Sequence, residues 1–274
     1  MKILFDTHLH SDFSTDSHTP LTEQVLRAKE CGLTGICITD HMDYEFPSSA
    51  LEHPVEGVPF WFDWSSYTEA VRTAKKLAPV TILTGVECGL QTVPEVKRKN
   101  KALRMQPELD YMIGSLHLVD RMDPYYSSFW AEKDPHICIR HYFECLYENL
   151  EFYHDFDALG HLDYIVRYAP ETYHYNPEDY RNIIEAILQF LIRKEIALEL
   201  NTSGWKTEGR CQNPHQMILT WYRQLGGELI TVGSDAHTPE YVAYKFNEAA
   251  LLLKKTGLRQ YVIYKKHKPV FLDL

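Results

Sequence analysis

Short apolar or β-branched runs alternate with longer amphipathic stretches along the whole chain. The runs have the length and composition of buried strands, and the stretches between them have the spacing of helices with one apolar face. The predicted strands are residues 2–7, 35–39, 81–86, 111–115, 158–160, 197–200 and 229–233. The predicted helices are residues 21–31, 65–77, 136–153, 177–193, 214–225 and 239–254. Strands that alternate with helices predict parallel β-α-β units, so seven strands indicate an α/β barrel or a doubly wound sheet.

Several of these helices begin at a recognisable signal, a capping-type residue followed by proline. Proline suits the first helical turn because its missing N–H would have no partner there. The four signals are Thr19-Pro20, Asn176-Pro177, Asn213-Pro214 and Thr238-Pro239.

Two connections are much longer than the rest, residues 42–64 and 118–135, and both are rich in aromatic side chains. Connections of this length in a compact domain are usually functional, so we expect them to flank a binding site, with a packed surface excursion as the alternative. A third polar stretch, the basic run at residues 97–101, is interpreted as a solvated helix face.

Composition places the chain among ordinary globular proteins, with 45% hydrophobic and 24% charged residues in 274. We interpret residues 1–274 as one domain. The net charge of -10 argues against a nucleic-acid partner, and no apolar run reaches the 18 residues of a membrane span, so we expect a cytosolic protein. The six cysteines form no C-x-x-C pair, which indicates neither a disulfide framework nor a thiolate zinc site.

Ligand-type side chains stand at the carboxyl ends of the predicted strands. The chain holds fourteen histidines, about one residue in twenty. Clustered histidine usually indicates metal or proton chemistry. The strand ends carry His8, His10, Asp40, His41, Glu87, His117, His161, Glu199, Asp235 and His237.

Two of these pairs, His8 with His10 and Asp235 with His237, are spaced by two residues on the first and last strands. In extended chain such residues point to one side, so each pair makes a two-ligand fork. If the sheet closes, the forks converge at the catalytic face of a barrel. Any single histidine here is more often structural, and a lone Asp235 could cap a helix. Together, however, so many ionisable groups in one mouth require cations, and imidazole with carboxylate suits Zn, Mn or Fe.

The ordered motifs resemble those of the polymerase and histidinol phosphatase (PHP) family, and more narrowly its monofunctional histidinol-phosphatases of histidine biosynthesis. The resemblance covers essentially the whole chain. It is carried by His8-Leu-His10 with Asp16, Thr39-Asp40-His41, Gly85-Val86-Glu87, Gly114-Ser-Leu-His117, Leu159-Gly-His161-Leu-Asp163 with Arg167-Tyr168, Glu199-Leu-Asn-Thr-Ser203 and Gly233-Ser-Asp235-Ala-His237.

The resemblance implies a distorted (β/α)7 barrel with three divalent metal ions at the carboxyl ends of its strands. The first ion would be held by His8, His10, Glu87 and Asp235, and the second by Glu87, His117 and His161. Asp16, His41 and His237 would hold the third. Some relatives carry histidine at the position of Asp16, and His18 and His154 stay open as substitute ligands.

The activity implied is hydrolysis of L-histidinol phosphate, a small phosphomonoester, by a hydroxide held between two of the metals. We expect Asp235 to steer the nucleophile and move a proton. We expect Arg167 to clamp the phosphate, with a surface ion pair as an equal alternative. The cationic end of the substrate would meet residues of the long connections, and the candidates are Asp43, Glu45, Trp61, Asp120 and Tyr126.

Three other functions remain open. The first is a phosphoesterase that uses the same centre on nucleotides or other small phosphate esters. The second is a metal-dependent amidohydrolase, disfavoured because Glu87 and His117 stand where those enzymes carry a carboxylated lysine. The third is a non-catalytic metal-binding or scaffolding protein, which would be expected to lack several ligands. The oligomeric state is not predicted.

Overall fold

A parallel sheet that curves into a barrel forms the centre of the molecule. The computed structural model describes residues 2–47 and 59–274. The strands of the sheet are β1 (Phe5–Leu9), β2 (Gly35–Ile38), β3 (His41–Met42), β4 (Thr81–Gly89), β5 (Tyr111–Ser115), β6 (Ala158–Leu159), β7 (Ala197–Asn201) and β8 (Ile230–Gly233). Their order is β1-β2-β4-β5-β6-β7-β8, and the short β3 pairs with β4. All these pairings are parallel.

The barrel closes between its first and last strands. Leu9 and Ala236 form a parallel bridge. The His10 N–H donates to the Ala236 carbonyl at 3.0 Å, and the Asp235 N–H donates to the His8 carbonyl at 2.8 Å. The predicted barrel is therefore confirmed, and the doubly wound sheet is excluded.

Helices between the strands cover the outside of this barrel. They are α1 (Leu21–Glu30), α2 (Trp64–Leu77), α3 (Pro94–Arg104), α4 (Ser127–Trp130), α5 (Pro135–Phe152), α6 (Arg181–Lys194), α7 (Gln216–Gln224) and α8 (Phe246–Lys255). α2 illustrates the packing, because Tyr67, Val71 and Ala74 recur at helical spacing and are all buried. The Tyr67 hydroxyl donates to the carbonyls of Ile38 at 2.9 Å and Gly85 at 2.8 Å, which fixes α2 against β2 and β4.

Several predicted boundaries are wrong. The first strand ends at Leu9 instead of residue 7, so His8 lies within it. The helix predicted over 239–254 begins as a three-residue 3-10 turn, Pro239–Tyr241, and α8 starts only at Phe246.

Of the four proline signals, only Asn176 caps a helix with its side chain, accepting from the Glu178 N–H at 3.3 Å. The Asn213-Pro214 bond is cis, and the buried Asn213 side chain bonds elsewhere. The following helix, α7, is capped instead by the His215 ring, which accepts from the Met217 N–H at 3.2 Å.

An antiparallel hairpin that the sequence pattern did not predict closes the end of the barrel opposite the strand carboxyl ends. It consists of β9 (Gln260–Lys265) and β10 (Lys268–Asp273). The Tyr261 hydroxyl accepts from the Leu4 N–H just before β1, and the His267 N–H donates to the Asp110 carbonyl just before β5. The hairpin thus covers the amino ends of the strands and leaves the carboxyl ends open.

The middle of the first long connection, residues 48–58, lies outside the described residues. The second connection holds a tight turn at Val119–Met122 and the short helix α4. The basic run lies on α3, with Arg98 and Lys101 exposed and Asn100 buried, as expected for a solvated helix face. Within residues 2–47 and 59–274, no helix combines the length and apolarity that crossing a membrane needs.

Candidate active site

The nine predicted ligands come together at the carboxyl ends of the strands. β1, β3 and β4 supply His8, His41 and Glu87 directly. The remaining side chains lie in the segments that follow a strand, and these are His10, Asp16, His117, His161, Asp235 and His237. Contacts of 3.8 Å or less join all nine into one cluster.

Four ligand-type atoms face one another in the first part of the cluster. His8 Nε2 lies 3.1 Å from both His10 Nε2 and Glu87 Oε2. Asp235 Oδ1 lies 3.4 Å from His10 Nε2 and 3.8 Å from His8 Nε2. Ligand atoms about 2.1 Å from one ion stand roughly 3–3.5 Å apart in tetrahedral geometry. These four side chains could therefore hold a single ion.

Glu87 also reaches a second group of imidazoles with its other carboxylate oxygen. Glu87 Oε1 lies 3.2 Å from His117 Nε2 and 2.9 Å from His161 Nε2. Because its two oxygens face different groups, Glu87 has the geometry of a bridging ligand.

The third group lies nearest to solvent. Asp16 Oδ2 is 3.4 Å from His41 Nε2 and 3.2 Å from His237 Nε2, and the Asp16 side chain is 43% exposed. The group is continuous with the first one, since the His10 ring lies 4.4 Å from the His41 ring and 4.0 Å from the His237 ring.

Hydrogen bonds outside the cluster fix which ring nitrogen of each histidine faces inward. His8 Nδ1 donates to Glu199 Oε1 at 2.6 Å. His10 Nδ1 lies 2.9 Å from the Ser14 hydroxyl, which itself donates to Asp40 at 2.7 Å and must accept from the ring. In both neutral imidazoles Nε2 is then left with a lone pair that points at the centre.

His117 follows the same rule, because its Nδ1 donates to Asp43 Oδ2 at 2.9 Å. Its Nε2 lone pair consequently faces the Glu87 carboxylate, just as the lone pairs of His8 and His10 face each other. Lone pairs this close repel unless a proton or a metal ion lies between them. The donor set and its orientation fit divalent metal ions.

Burial and neighbouring charges shift the proton affinities of these groups strongly. Burial alone would raise the pKa of Glu87, but the imidazoles of His8, His117 and His41 hold it well below its usual range. Burial disfavours the charged forms of His8 and His117, yet adjacent carboxylates raise the pKa of both well above normal. Burial lowers the pKa of His10 well below normal, and neighbouring histidines add to the effect. Glu87 is therefore anionic, and the positive charge beside it comes from protonated His8 and His117 where no metal ion is bound.

Arg167 is buried in the same mouth, so its interpretation as a surface ion pair is wrong. Its guanidinium donates to Asn213 at 2.6 Å, to Asn201 at 2.9 Å and to Asp235 at 3.1 Å. These bonds use three of the five guanidinium N–H groups. The guanidinium also lies over the Tyr164 ring, 5.3 Å from its centroid. Its other two N–H groups have no hydrogen-bond partner among residues 2–47 and 59–274.

Asp235 differs from the predicted extended fork. β8 ends at Gly233, and Asp235 has a left-handed φ of +54°. Its Oδ1 faces His8 and His10, whereas its Oδ2 accepts from Arg167 and from the Ser203 hydroxyl at 3.1 Å. Burial would raise the pKa of Asp235, but His8, His10 and Arg167 hold it well below its usual range.

The two substitute ligands lie outside the three groups. His18 is exposed at the surface. His154 bonds the Leu150 carbonyl at 2.9 Å and packs against Phe190, at the end of α5.

A cleft of about 430 Å³ opens over the cluster. Of the residues predicted to meet the cationic end of a substrate, Asp43 and Tyr126 line it. The other three do not, because Glu45 pairs with Lys99, Trp61 stacks on Tyr44 and Asp120 pairs with His141. Residues that the sequence pattern missed also line the cleft, and they include Asp123, Tyr125 and Tyr164. Burial raises the pKa of Asp123 to about 6.

The model of the PHP domain family matches residues 6–203, which include seven of the nine clustered residues. The chain belongs to the PHP family. Asp235 and His237 lie beyond the matched segment and join it through the closure of the PHP barrel.

Two curated relatives and one solved structure that are similar to the chain over most of its length are named as histidinol-phosphatases. It is 33% identical to a probable histidinol-phosphatase of Clostridium acetobutylicum, over 99% of this chain and 97% of the relative. It is 30% identical to a probable histidinol-phosphatase of Thermotoga maritima, over 92% of this chain and 92% of the relative. The crystal structure of histidinol phosphate phosphatase from Lactococcus lactis, complexed with Zn, L-histidinol and phosphate, is similar with a TM-score of 0.85 and 27% identity, over 97% of this chain and 98% of that one.

Proposed function

We propose that this protein hydrolyses L-histidinol phosphate to L-histidinol and phosphate in a metal-dependent reaction. The observation that carries the proposal is the nine-residue cluster beneath a cleft, in a chain that is similar over nearly its full length to an enzyme crystallised with Zn, L-histidinol and phosphate. Water adds to phosphorus, the phosphorus–oxygen bond to the substrate breaks, and the leaving oxygen takes a proton to give the alcohol.

Three divalent ions fit the three groups of residues. His8, His10, Glu87 and Asp235 would hold the first, Glu87 with His117 and His161 the second, and Asp16 with His41 and His237 the third. Zn is the ion named for the Lactococcus structure, and the same nitrogen and oxygen donors also suit Mn or Fe. Such ions lower the pKa of bound water and polarise phosphate oxygens.

Arg167 is the protein's own phosphate-binding group in this proposal. Asn201, Asn213 and Asp235 orient its guanidinium from behind, so its free N–H groups meet the substrate without reorganisation. We expect Arg167→Ala to raise KM for the phosphomonoester by about tenfold or more, because a hydrogen bond to a charged group is worth about 1.5–3 kcal/mol. Steady-state kinetics measure the change, with Arg181→Ala on the exposed face of α6 as the control. Equal KM values in all three proteins would remove Arg167 from the phosphate site.

Asp235 is proposed to orient the nucleophile. Its Oδ2 is held by donors from Arg167 and Ser203, and its pKa lies far below neutrality, so it supplies a fixed negative charge that accepts a hydrogen bond from water but takes up a proton poorly. We therefore assign Asp235 the orienting role and not the transfer of a proton.

The ammonium and imidazole of the substrate meet carboxylates and aromatic rings. Asp43 and Asp123 supply negative charge in the cleft, and Tyr125, Tyr126 and Tyr164 supply ring faces. Cations bind favourably over such faces. An acidic and aromatic cleft favours a phosphomonoester with a cationic end over a nucleotide, because the nucleoside end of a nucleotide carries no positive charge.

The decisive experiment combines phosphate release with metal analysis. Wild-type protein is assayed on L-histidinol phosphate, a nucleoside monophosphate and p-nitrophenyl phosphate, and its metal content is measured by elemental analysis. We expect at least tenfold higher kcat/KM on L-histidinol phosphate and loss of both metal and activity in His8→Ala and Asp235→Asn. A smaller preference would assign the protein to the alternative, a PHP phosphoesterase of broad range, and full activity of both variants would refute the metal centre.

A further inference from the structure

A second set of metal-ligand side chains lies on the surface, away from the barrel mouth. Asp120, His141 and Cys145 each offer one ligand-type atom, and all three atoms lie within 4.8 Å of one another. None of the three belongs to the nine-residue cluster. They combine carboxylate, imidazole and thiol donors.

The distances fit coordination of one ion. His141 Nε2 lies 2.8 Å from Asp120 Oδ2 and 3.5 Å from Cys145 Sγ. Zinc binds sulfur at about 2.3 Å and nitrogen at about 2.0–2.1 Å, so tetrahedral ligands of these two kinds stand roughly 3.5 Å apart. The sulfur and Nε2 are thus already at ligand spacing, but the sulfur also lies 3.9 Å from His141 Nδ1, so the half-exposed ring has to turn its Nε2 lone pair towards the sulfur. The carboxylate has to move outward by about half an ångström to make room.

Local backbone structure places each donor. His141 and Cys145 are four residues apart on α5 and therefore share one face of the helix. Asp120 reaches them from a tight turn in which Val119 and Met122 exchange two hydrogen bonds of 2.9 Å. Asp120 and Arg121 at its tip both have left-handed φ values, +50° and +63°, which is the geometry of a type I′ turn.

The surroundings carry negative charge and are open to solvent. The Asp120 side chain is 72% exposed and that of His141 is 44% exposed, so an ion can enter without opening the fold. Glu144 approaches His141 Nδ1 at 3.8 Å from the same helix. The carboxylates of Asp120, Glu148 and Glu144 bring negative charge close to Cys145. A divalent cation would relieve this concentration of like charge.

We propose that Asp120, His141 and Cys145 form a separate binding site for a zinc-class divalent ion. On binding, the thiol proton of Cys145 passes to solvent and the thiolate sulfur bonds the metal, while the neutral imidazole and the carboxylate complete three protein ligands. Water or Glu144 takes the fourth position. The absence of a C-x-x-C pair does not exclude this site, because its single thiol is combined with a histidine and not with a second cysteine.

The site links α5 to the segment that borders the active-site cleft. Asp120 lies three residues after His117 and three before Asp123, and Asp123 and Tyr125 line the cleft. An ion held between the turn and the helix fixes that segment at its outer end.

Cobalt distinguishes this site from the barrel-mouth centre, because only here is a cysteine among the ligands. The full-length protein is stripped with a chelator and titrated with Co²⁺, and thiolate-to-cobalt charge transfer is followed in the near ultraviolet. We expect the band to grow as Co²⁺ is added, to saturate by the time this site and the three groups of the barrel mouth are filled, and to disappear when Zn²⁺ is added. Cys145→Ser should abolish the band, whereas Cys31→Ser, the matched half-buried cysteine outside the site, should retain it.

Asp120→Asn is a second variant that tests the same site without touching the helix packing, since its side chain is largely exposed. We expect it to weaken Co²⁺ binding at this site by at least about tenfold, because even losing an outer-shell partner typically costs 10–100-fold in affinity. A wild-type protein without the band, or a band that persists in Cys145→Ser, would overturn the proposal and leave an ordinary Asp–His ion pair beside a thiol. Either of these two results would leave the outcome of the phosphatase assay unchanged, so failure of this proposal is distinguishable from failure of the proposed function.

Discussion

Glu199 is a buried carboxylate that contacts two of the clustered histidines without being one of the nine. Its Oε1 accepts from His8 Nδ1 at 2.6 Å, and its Oε2 accepts from the His161 N–H at 2.8 Å and from the Asn201 amide at 3.0 Å. It therefore sets both the tautomer of one ring and the backbone position of another. Partners of this kind orient metal ligands and raise their basicity.

Replacing Glu199 with glutamine should lower metal affinity by about 10–100-fold. The glutamine amide is neutral, so it stabilises the orientation of His8 less well. It also offers one acceptor oxygen where the carboxylate offers two. Metal titration of the stripped protein measures the change. Glu228→Gln, an exposed carboxylate near β8, is the control. An unchanged affinity in both variants would mean that Glu199 only fills space.

Asp123 should make substrate binding depend on pH. Burial raises its pKa to about 6, and divalent ions in the cluster would lower that value somewhat, so the group gains its negative charge as pH rises through about 6 or slightly below. A cationic substrate then binds better at the higher pH.

The measurement is the ratio of kcat/KM between wild type and Asp123→Asn from pH 5 to 8. Taking the ratio cancels the titration of the substrate itself. We expect it to rise with pH to a plateau for L-histidinol phosphate and to stay flat for p-nitrophenyl phosphate, which has no cationic end. A flat ratio for both substrates would exclude Asp123 from recognition of the cationic end.

The side chains of the cluster were predictable from sequence because they follow strand ends, where a parallel barrel must gather them. The side chains that line the cleft were less predictable from sequence. Asp123 and Tyr164 lie in irregular segments whose path depends on the packing of α4 and of a 3-10 turn, Tyr164–Arg167. Whether Arg167 is exposed or buried could not be predicted, because its partners Asn201 and Asn213 lie far from it along the chain.

At the level of elements, the amphipathic helices and the parallel strands followed from periodicity, but the C-terminal hairpin did not. Hairpins are expected where asparagine or glycine allows a left-handed turn. Here Lys266 and His267 adopt φ values of +50° and +63° instead. Contacts with the barrel stabilise this turn, since His267 Nδ1 lies 2.9 Å from Asp157 and Lys266 Nζ lies 2.9 Å from Asp110. Such long-range contacts leave no local signal.

Asp110 anchors this hairpin and should contribute measurably to stability. Burial would raise its pKa, but hydrogen bonds from Lys266 and the Thr84 N–H, with the charge of Lys75, lower it. A lowered pKa in the folded state means that the stabilisation is present above the unfolded pKa and is lost as pH falls through the folded value.

We expect Asp110→Asn to lower the free energy of unfolding at pH 7 by about 2 kcal/mol, the scale of a hydrogen bond to a charged group. The difference from wild type should shrink as pH falls below about 4. Urea unfolding at both pH values measures it, with Asp273→Asn on the exposed edge of β10 as the control. A deficit at pH 7 that persists undiminished at pH 3 would contradict an electrostatic origin.

For the whole molecule, metal removal should change how stability varies with pH. Without bound cations, neighbouring carboxylates raise the pKa of His41 to about 9 and those of His8 and His117 well above normal. A raised histidine pKa gives stability that is complete below about pH 6.5 and is lost as pH rises through the folded value.

Chelated protein should therefore lose thermal stability between pH 6.5 and 9, whereas the metal-loaded protein should change little. Loading itself should stabilise, by about 2.7 kcal/mol at a free metal concentration one hundred times Kd. Differential scanning calorimetry of both forms across this pH range measures the two effects. Parallel curves for the two forms would show that these histidines are not neutralised by metal.

The seam between β1 and β8 has a consequence for how the protein is made. Thr7 bonds to Val232 and Asp6 bonds to Ser234 across separations of 225 and 228 residues. A nascent chain emerges from its amino end, so it displays the His8–His10 pair long before Asp235 exists. Contacts at such separation also form late and slowly. A polypeptide cut short before β8 lacks both Asp235 and the strand that closes the barrel, so the proposed function predicts that no such partial product of synthesis is active.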